Sequence, residues 1–236
     1  MKRKNSPSHH HPLSWPSVIL GGVLLFLSAQ VISAQLFFNG GAQRRTKALA
    51  NAKLIAGGLL VFKSEMGAYP CDATRKVMEE DGIKNLPVGK SANAYLAQLI
   101  SSEAIDSEKA FHTPEKGFKK GDDDTKTSKT LLAPGENGFA YIMAKGGKPL
   151  TDTRAFTPII LATIGRKGEG EPVFNADIYG GKFVMARVDG SAGTGDLNEK
   201  GHLRSSGRDS FFQTGRDSLF GVDIPELAYP LRPAKK

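Results

Sequence analysis

The sequence predicts an α+β protein in which a long N-terminal helix, part membrane segment and part amphipathic, packs on a small antiparallel β-sheet. Three observations carry that expectation. An uncharged apolar segment lies near the N-terminus, an apolar stripe at helical spacing follows it, and the second half of the chain breaks into short apolar runs bounded by glycine. Residues 1–16 are expected to form a basic cytoplasmic tail and 17–38 a transmembrane helix. Residues 39–70 would form its amphipathic extension, and 71–236 a loop-rich α+β domain outside the membrane.

No Asp, Glu, Lys or Arg occurs from Asn5 to Gln43. Within that stretch SVILGGVLLFLSAQVISAQLFF is about 22 residues, enough to cross ~30 Å of hydrocarbon as a helix. Trp15 and Phe37–Phe38 stand at its two edges, where aromatic side chains suit the membrane interface. Ser28, Gln30, Ser33 and Gln35 are tolerable there because a helix satisfies its own backbone. A second reading stays open: basic Lys2–Lys4, apolar Val18–Leu27 and Ile32-Ser33-Ala34 also compose a cleaved secretory signal. That reading gives a secreted or periplasmic domain with a binding or hydrolytic role. In the anchored reading the short tail stays inside, because long C-terminal domains translocate largely regardless of charge. The anchored chain then sits in the inner (cytoplasmic) membrane, its C-terminal domain periplasmic or extracellular. His9–His11 receives no role.

The net charge of +8 is concentrated at this end. Of the 32 Lys and Arg residues, six (Lys2, Arg3, Lys4, Arg44, Arg45, Lys47) lie in residues 1–47, which hold no Asp or Glu. The remainder carries 26 basic against 24 acidic residues and no basic stripe interleaved with aromatics. Nucleic acid is therefore excluded as an expected partner, and membrane lipid is included. A single cysteine, Cys71, makes an internal disulfide impossible and is expected to be buried as a small hydrophobe.

After Gly40-Gly41, the residues Leu49, Ala52, Ala56, Leu59, Phe62 and Met66 recur at spacings of three and four and mark one helix face. Arg45, Lys47, Asn51 and Lys63 lie mostly elsewhere. Gly57-Gly58 lowers helix propensity but admits a close neighbour, and Gly67 with Tyr69-Pro70 stops the helix. The run from Ala48 to Pro70, with small residues, G-L-L-x-F-K-S-E and then G-x-Y-P, resembles type IV pilins and type II secretion pseudopilins. The resemblance covers roughly residues 17–70. It implies a pilin-like fold, no enzymatic activity and a structural role in a cell-envelope secretion or pilus-type assembly. Its partners would be other envelope or pilin-like subunits, met through the N-terminal helix. The F-T-L-x-E prepilin junction of that family is not found between Met1 and Leu27. The resemblance thus implies a pilin-like membrane protein outside a filament built on that junction.

Residues 71–135 read as variable and polar, with one short amphipathic helix over Ser91–Ile105 whose apolar side is Tyr95, Leu96, Leu99 and Ile100. Lys116–Lys129 reads as a solvated charged loop. Strands are expected at Phe139–Met143, Pro158–Ile164, Pro172–Ile178 and Lys182–Val188, with turns at Gly180-Gly181 and Asp189-Gly190. The tail repeats itself once, GRDSFF at Gly207–Phe212 and GRDSLF at Gly215–Phe220. Two copies eight residues apart are too short for a solenoid and read as a local echo in loop structure.

No motif for metalloprotease, serine hydrolase or nucleotide chemistry occurs. Ser191, His202 and Asp209 compose a triad on paper, as some trio does in almost any chain of this length, and no catalytic or cofactor-binding residue is assigned. Calcium is the one ion with candidate ligands. Asp189, Asp196, Asn198 and Glu199 bring oxygen groups to a Gly-rich stretch without EF-hand spacing, and the same residues also suit ordinary turns. Asp122–Asp124 is a second acidic cluster, flanked by lysines.

Overall fold

A computed structural model describes residues 15–115, 117–121, 130–151, 153–162, 172–204, 211–215 and 218–232, with side chains described from residue 40 onward. The chain divides into two compact units, Met1–Gly40 and Gly41–Lys236. The expected anchor, residues 17–38, is helical, and its side chains lie outside the described residues. Among the described residues no helix is long and apolar enough to cross a membrane.

The fold is α+β, as expected. Helix α1 is assigned over Trp15–Met66 and is followed by α2 (Asp72–Glu80) and α3 (Ala92–Ser101). A 3-10 turn over Glu108–Phe111 leads to the strands β1 (Phe139–Ala144), β2 (Pro158–Ala162), β3 (Lys182–Arg187), β4 (Ala192–Asp196) and β5 (Pro225–Ala228). All pairings are antiparallel, in the order β4-β3-β2-β1-β5. Strands β1 to β4 form a meander, and β5 returns from the tail to pair with β1.

The inner face of α1 is built from Ala48, Ala52, Ile55, Ala56, Leu59 and Phe62, all essentially inaccessible to water. Leu49 and Met66, expected on that face, are partly buried against the same core. Ile55 and Ala48 join them because a stripe spaced at 3.6 residues broadens to about 100° where it meets a wide core. The helix ends at Gly67 (φ +75), whose N–H donates to the Lys63 carbonyl at 2.9 Å. The Lys63 ammonium lies 4.6 Å from the Tyr69 ring centroid, and the Tyr141 hydroxyl of β1 donates to the Pro70 carbonyl at 2.9 Å. The exit from α1 is thereby fastened to an interior strand of the sheet.

Strands β1 and β2 are buried at every position, which requires both sheet faces to be covered. Alternation puts Tyr141, Ile160 and Ala186 on one face and Ile142, Leu161 and Phe183 on the other. The first face meets α3, with Tyr141 6.0 Å from Tyr95. The second is covered by the tail: Phe211 meets Phe183 edge-on at 5.9 Å, and Phe220 packs on Phe211 at 6.4 Å. The two copies of the tail repeat meet here, because Phe212 and Phe220, their equivalent last residues, lie nearly parallel at 6.2 Å.

Several expected elements differ. Pro172–Ile178 is irregular chain ending in a turn; its Phe174 N–H donates to Gly201 rather than to a strand. Phe174 and Ile178 are nonetheless buried, so the apolar run reflects core contact without sheet pairing. Gly180 and Gly181, both at positive φ, turn the chain into β3 instead of joining two strands. Strand β2 ends at Ala162, and residues 163–171 lie outside the described residues. Helix α3 spans ten residues rather than the full Ser91–Ile105 and is buried on all sides. Ser91 is its N-cap, accepting from the Ala94 N–H at 3.2 Å. Cys71 is buried as expected, and it also caps α2 by accepting from the Thr74 N–H at 3.4 Å. Of the expected charged loop, residues 116 and 122–129 lie outside the described residues, while Gly121 is buried against Glu108.

Candidate functional site

The 26 residues of α1 from Gly41 onward carry apolar side chains on two faces, not one. Opposite the buried face, Ala50, Leu54, Gly57 and Val61 recur at spacings of four, three and four and are exposed. Leu54 is 60% exposed and Val61 46%, with Leu60 beside them at 39%. Single exposed apolar residues are ordinary on a protein surface, but an aligned stripe on one helix is a contact surface in form. Gly57 lets a neighbour approach the helix backbone, since nothing lies within 4 Å of where its Cβ would be.

Beside this stripe a cleft of about 480 Å³ is lined by Asn51 and Leu54 of α1 and by Ala104, Ile105, Asp106, Ser107, Lys109 and Ala110. Its floor is fixed where Ile105 packs directly on Gly58. Polar residues of α1 hold the neighbouring segments. The Asn51 amide donates to the His112 carbonyl at 2.8 Å, and Arg45 donates to the Tyr179 carbonyl at 3.1 Å. Burial chiefly, and then the nearby charges of Lys120 and Lys47, push the His112 imidazole below its ordinary pKa.

The calcium candidates do not converge. Asp189 lies in the β3–β4 turn, where its carboxylate accepts from the Ser191 N–H at 2.8 Å. Hydrogen bonding by the Ser191 side chain first, and then by its backbone N–H, holds that carboxyl below the ordinary range. Asp196 is at the far end of β4, roughly 20 Å away along an extended chain, and pairs with Lys182 at 2.6 Å. Asn198 turns its side-chain oxygen onto the backbone N–H groups of Lys200 and His202, both at 3.0 Å. Glu199 is exposed beside it. Among the described residues no three His, Cys, Asp or Glu side chains are grouped so as to hold a metal ion.

The paper triad is not assembled either. Ser191 is in the β3–β4 turn and His202 lies beyond the other end of β4, next to the Leu197–Leu203 bridge. Asp209 lies outside the described residues, as does Asp122–Asp124. The outward stripe of α1 was legible as a second 4-3-4 spacing, but it is masked in sequence by Lys53 and Ser64, which flank it.

Comparisons with protein-family models, with curated proteins and with solved structures return no match to this chain. What its geometry defines is therefore a class by architecture alone: a helix with two apolar faces attached to an antiparallel sheet.

Proposed function

We propose that this chain is a single-pass, pilin-like or pseudopilin-like membrane protein that builds or supports a cell-envelope assembly of the secretion or pilus type. It acts by helix packing rather than catalysis, from the inner membrane, with the domain from residue 41 onward outside it. One observation carries the reading: α1 buries Ala52, Ala56, Leu59 and Phe62 in the core of its own domain and still presents Leu54 and Val61 outward. A helix apolar on both faces is either deeply buried or in contact with a second partner. The uncharged segment before it, and the pilin-like run from Ala48 to Pro70, agree with a partner helix in the envelope.

The buried Cys71 permits a direct test, because it leaves an introduced thiol alone at the surface. Leu54→Cys and Val61→Cys chains, expressed in cells and treated with a short maleimide–diazirine photo-cross-linker, should cross-link to an envelope subunit or to a second copy. Lys84→Cys, exposed and away from α1, should not. Equal labelling of all three without cross-linked product contradicts an assembly role for this face.

A further inference from the structure

The domain gathers cations from three places in the sequence onto one side of α1. Arg44, Lys47 and Asn51 follow one another at helical spacings of three and four, so they share a face. Asn51 binds the His112 carbonyl, which sets the end of the 3-10 turn against that face. Lys109, in the same turn, lines the cleft with Asn51. Gly121 packs on Glu108, close enough that a Cβ would stand in the Glu108 side chain, and this brings Lys120 to the turn as well. Arg44, Lys47, Lys109 and Lys120 are exposed. Among the described residues no carboxylate pairs with any of the four. Glu108 is buried and accepts from the Leu132 N–H, and Asp106 is the one acid among the residues lining the cleft.

We propose that Arg44, Lys47, Lys109 and Lys120 form a docking surface for anionic phospholipid headgroups, so that the folded domain itself rests on the membrane. The proposal rests on the membrane reading above and extends it to Lys109 and Lys120, far from the apolar segment in sequence. The chain supplies the tether. Phe38 and Lys47 are nine residues apart, which limits their separation to about 30 Å however the chain between them runs. Basic residues brought to an anionic surface each add to the attraction within a Debye length. An anionic surface matches a patch of convergent cations better than a zwitterionic one does.

The test uses the full chain mixed with vesicles of phosphatidylcholine, or with vesicles in which about a quarter of the lipid is phosphatidylglycerol. Flotation reports attachment, and the rate of tryptic cleavage after Lys109 and Lys120 reports docking. Cleavage should slow about tenfold in the anionic vesicles relative to the neutral ones. The Lys47→Glu/Lys120→Glu chain, read at Lys109 because it has no tryptic site at 120, should lose that difference, and Lys145→Glu, an exposed control in the turn after β1, should keep it. Equal cleavage in both vesicles, with the chain floating in both, overturns the docking surface and leaves the anchor standing. Flotation with anionic vesicles alone, abolished by the double substitution, supports the docking surface while removing the anchor. Flotation with neither overturns both.

Discussion

Gly58 of α1 lies directly under Ile105: a Cβ built on Gly58 would stand 2.5 Å from the Ile105 Cγ1 and 3.2 Å from the Ala104 carbonyl oxygen. Its neighbour Gly57 faces open space. Two adjacent glycines in one helix thus serve different purposes, one admitting a packed segment and the other lying in the outward stripe.

Alanine at these two positions should act in opposite directions. Gly57→Ala should raise stability by about 0.5–1 kcal/mol, the usual gain in helix propensity. Gly58→Ala makes the same gain but forces Ile105 aside, an overpacking cost of about 1–3 kcal/mol. Its net effect should be a loss of up to about 2 kcal/mol. Urea unfolding of both variants checks the pair; equal midpoints would contradict the packing of 104–105 on α1.

A buried amide, Asn93, joins three segments. It donates to the Leu132 carbonyl at 2.6 Å and accepts from the Leu231 N–H at 2.8 Å, fixing the tail to α3 and to the loop before β1. Asn93→Ala should cost about 1–3 kcal/mol, because it leaves buried backbone groups without partners. Hydrogen exchange at Leu231 should accelerate with it. Unchanged protection there would show that the tail is held by other contacts.

Alkaline pH should unfold the domain early. Burial first, and then the Asp72 carboxylate, push the Tyr95 phenol up to about 12. Burial also raises Tyr69, Tyr141 and Tyr229 above 10.0. A raised phenol binds its proton more tightly folded than unfolded. Its contribution is therefore complete below pH 10.0 and is lost as pH climbs through the folded value, about 12 for Tyr95. The denaturation midpoint should fall steeply above pH ~10. The Tyr95 hydroxyl faces Asp72 without closing a hydrogen bond of normal geometry. Tyr95→Phe should therefore leave neutral-pH stability unchanged or slightly higher and make the alkaline fall shallower. A flat profile to pH ~11 would refute the burial of these phenols.

The α1 core face was legible because its burial follows a helical period, and strands β1, β2 and β3 because each is a short, largely apolar run with sheet-forming residues. Their glycine boundaries were legible too. Helix α2 was not: it buries only Thr74 and Met78, and Glu79 and Glu80 at its C-terminus oppose the helix dipole. Strand β5, Pro-Glu-Leu-Ala, has poor strand propensity and exists through its pairing with β1. It also closes that sheet edge, since Pro225 has no N–H and the Tyr229 carbonyl is taken by Ala92 at 2.9 Å. The calcium reading of Asp189–Glu199 failed to anticipate β4 because glycine suggests a loop. Here Gly195 is a strand residue, and the Phe183 ring occupies the space its side chain would take. The outward stripe of α1 was hidden for a different reason: a contact surface has no partner within its own chain to reveal it.

Membrane residence through the N-terminal segment is the central claim, and the intact mass of the chain from carbonate-washed membranes tests it most directly. The expected result is a membrane-pelleted chain of about 25.3 kDa that still carries residues 18–38. A carbonate-released chain beginning near Gln35 would contradict it, and with it the helix-borne assembly role.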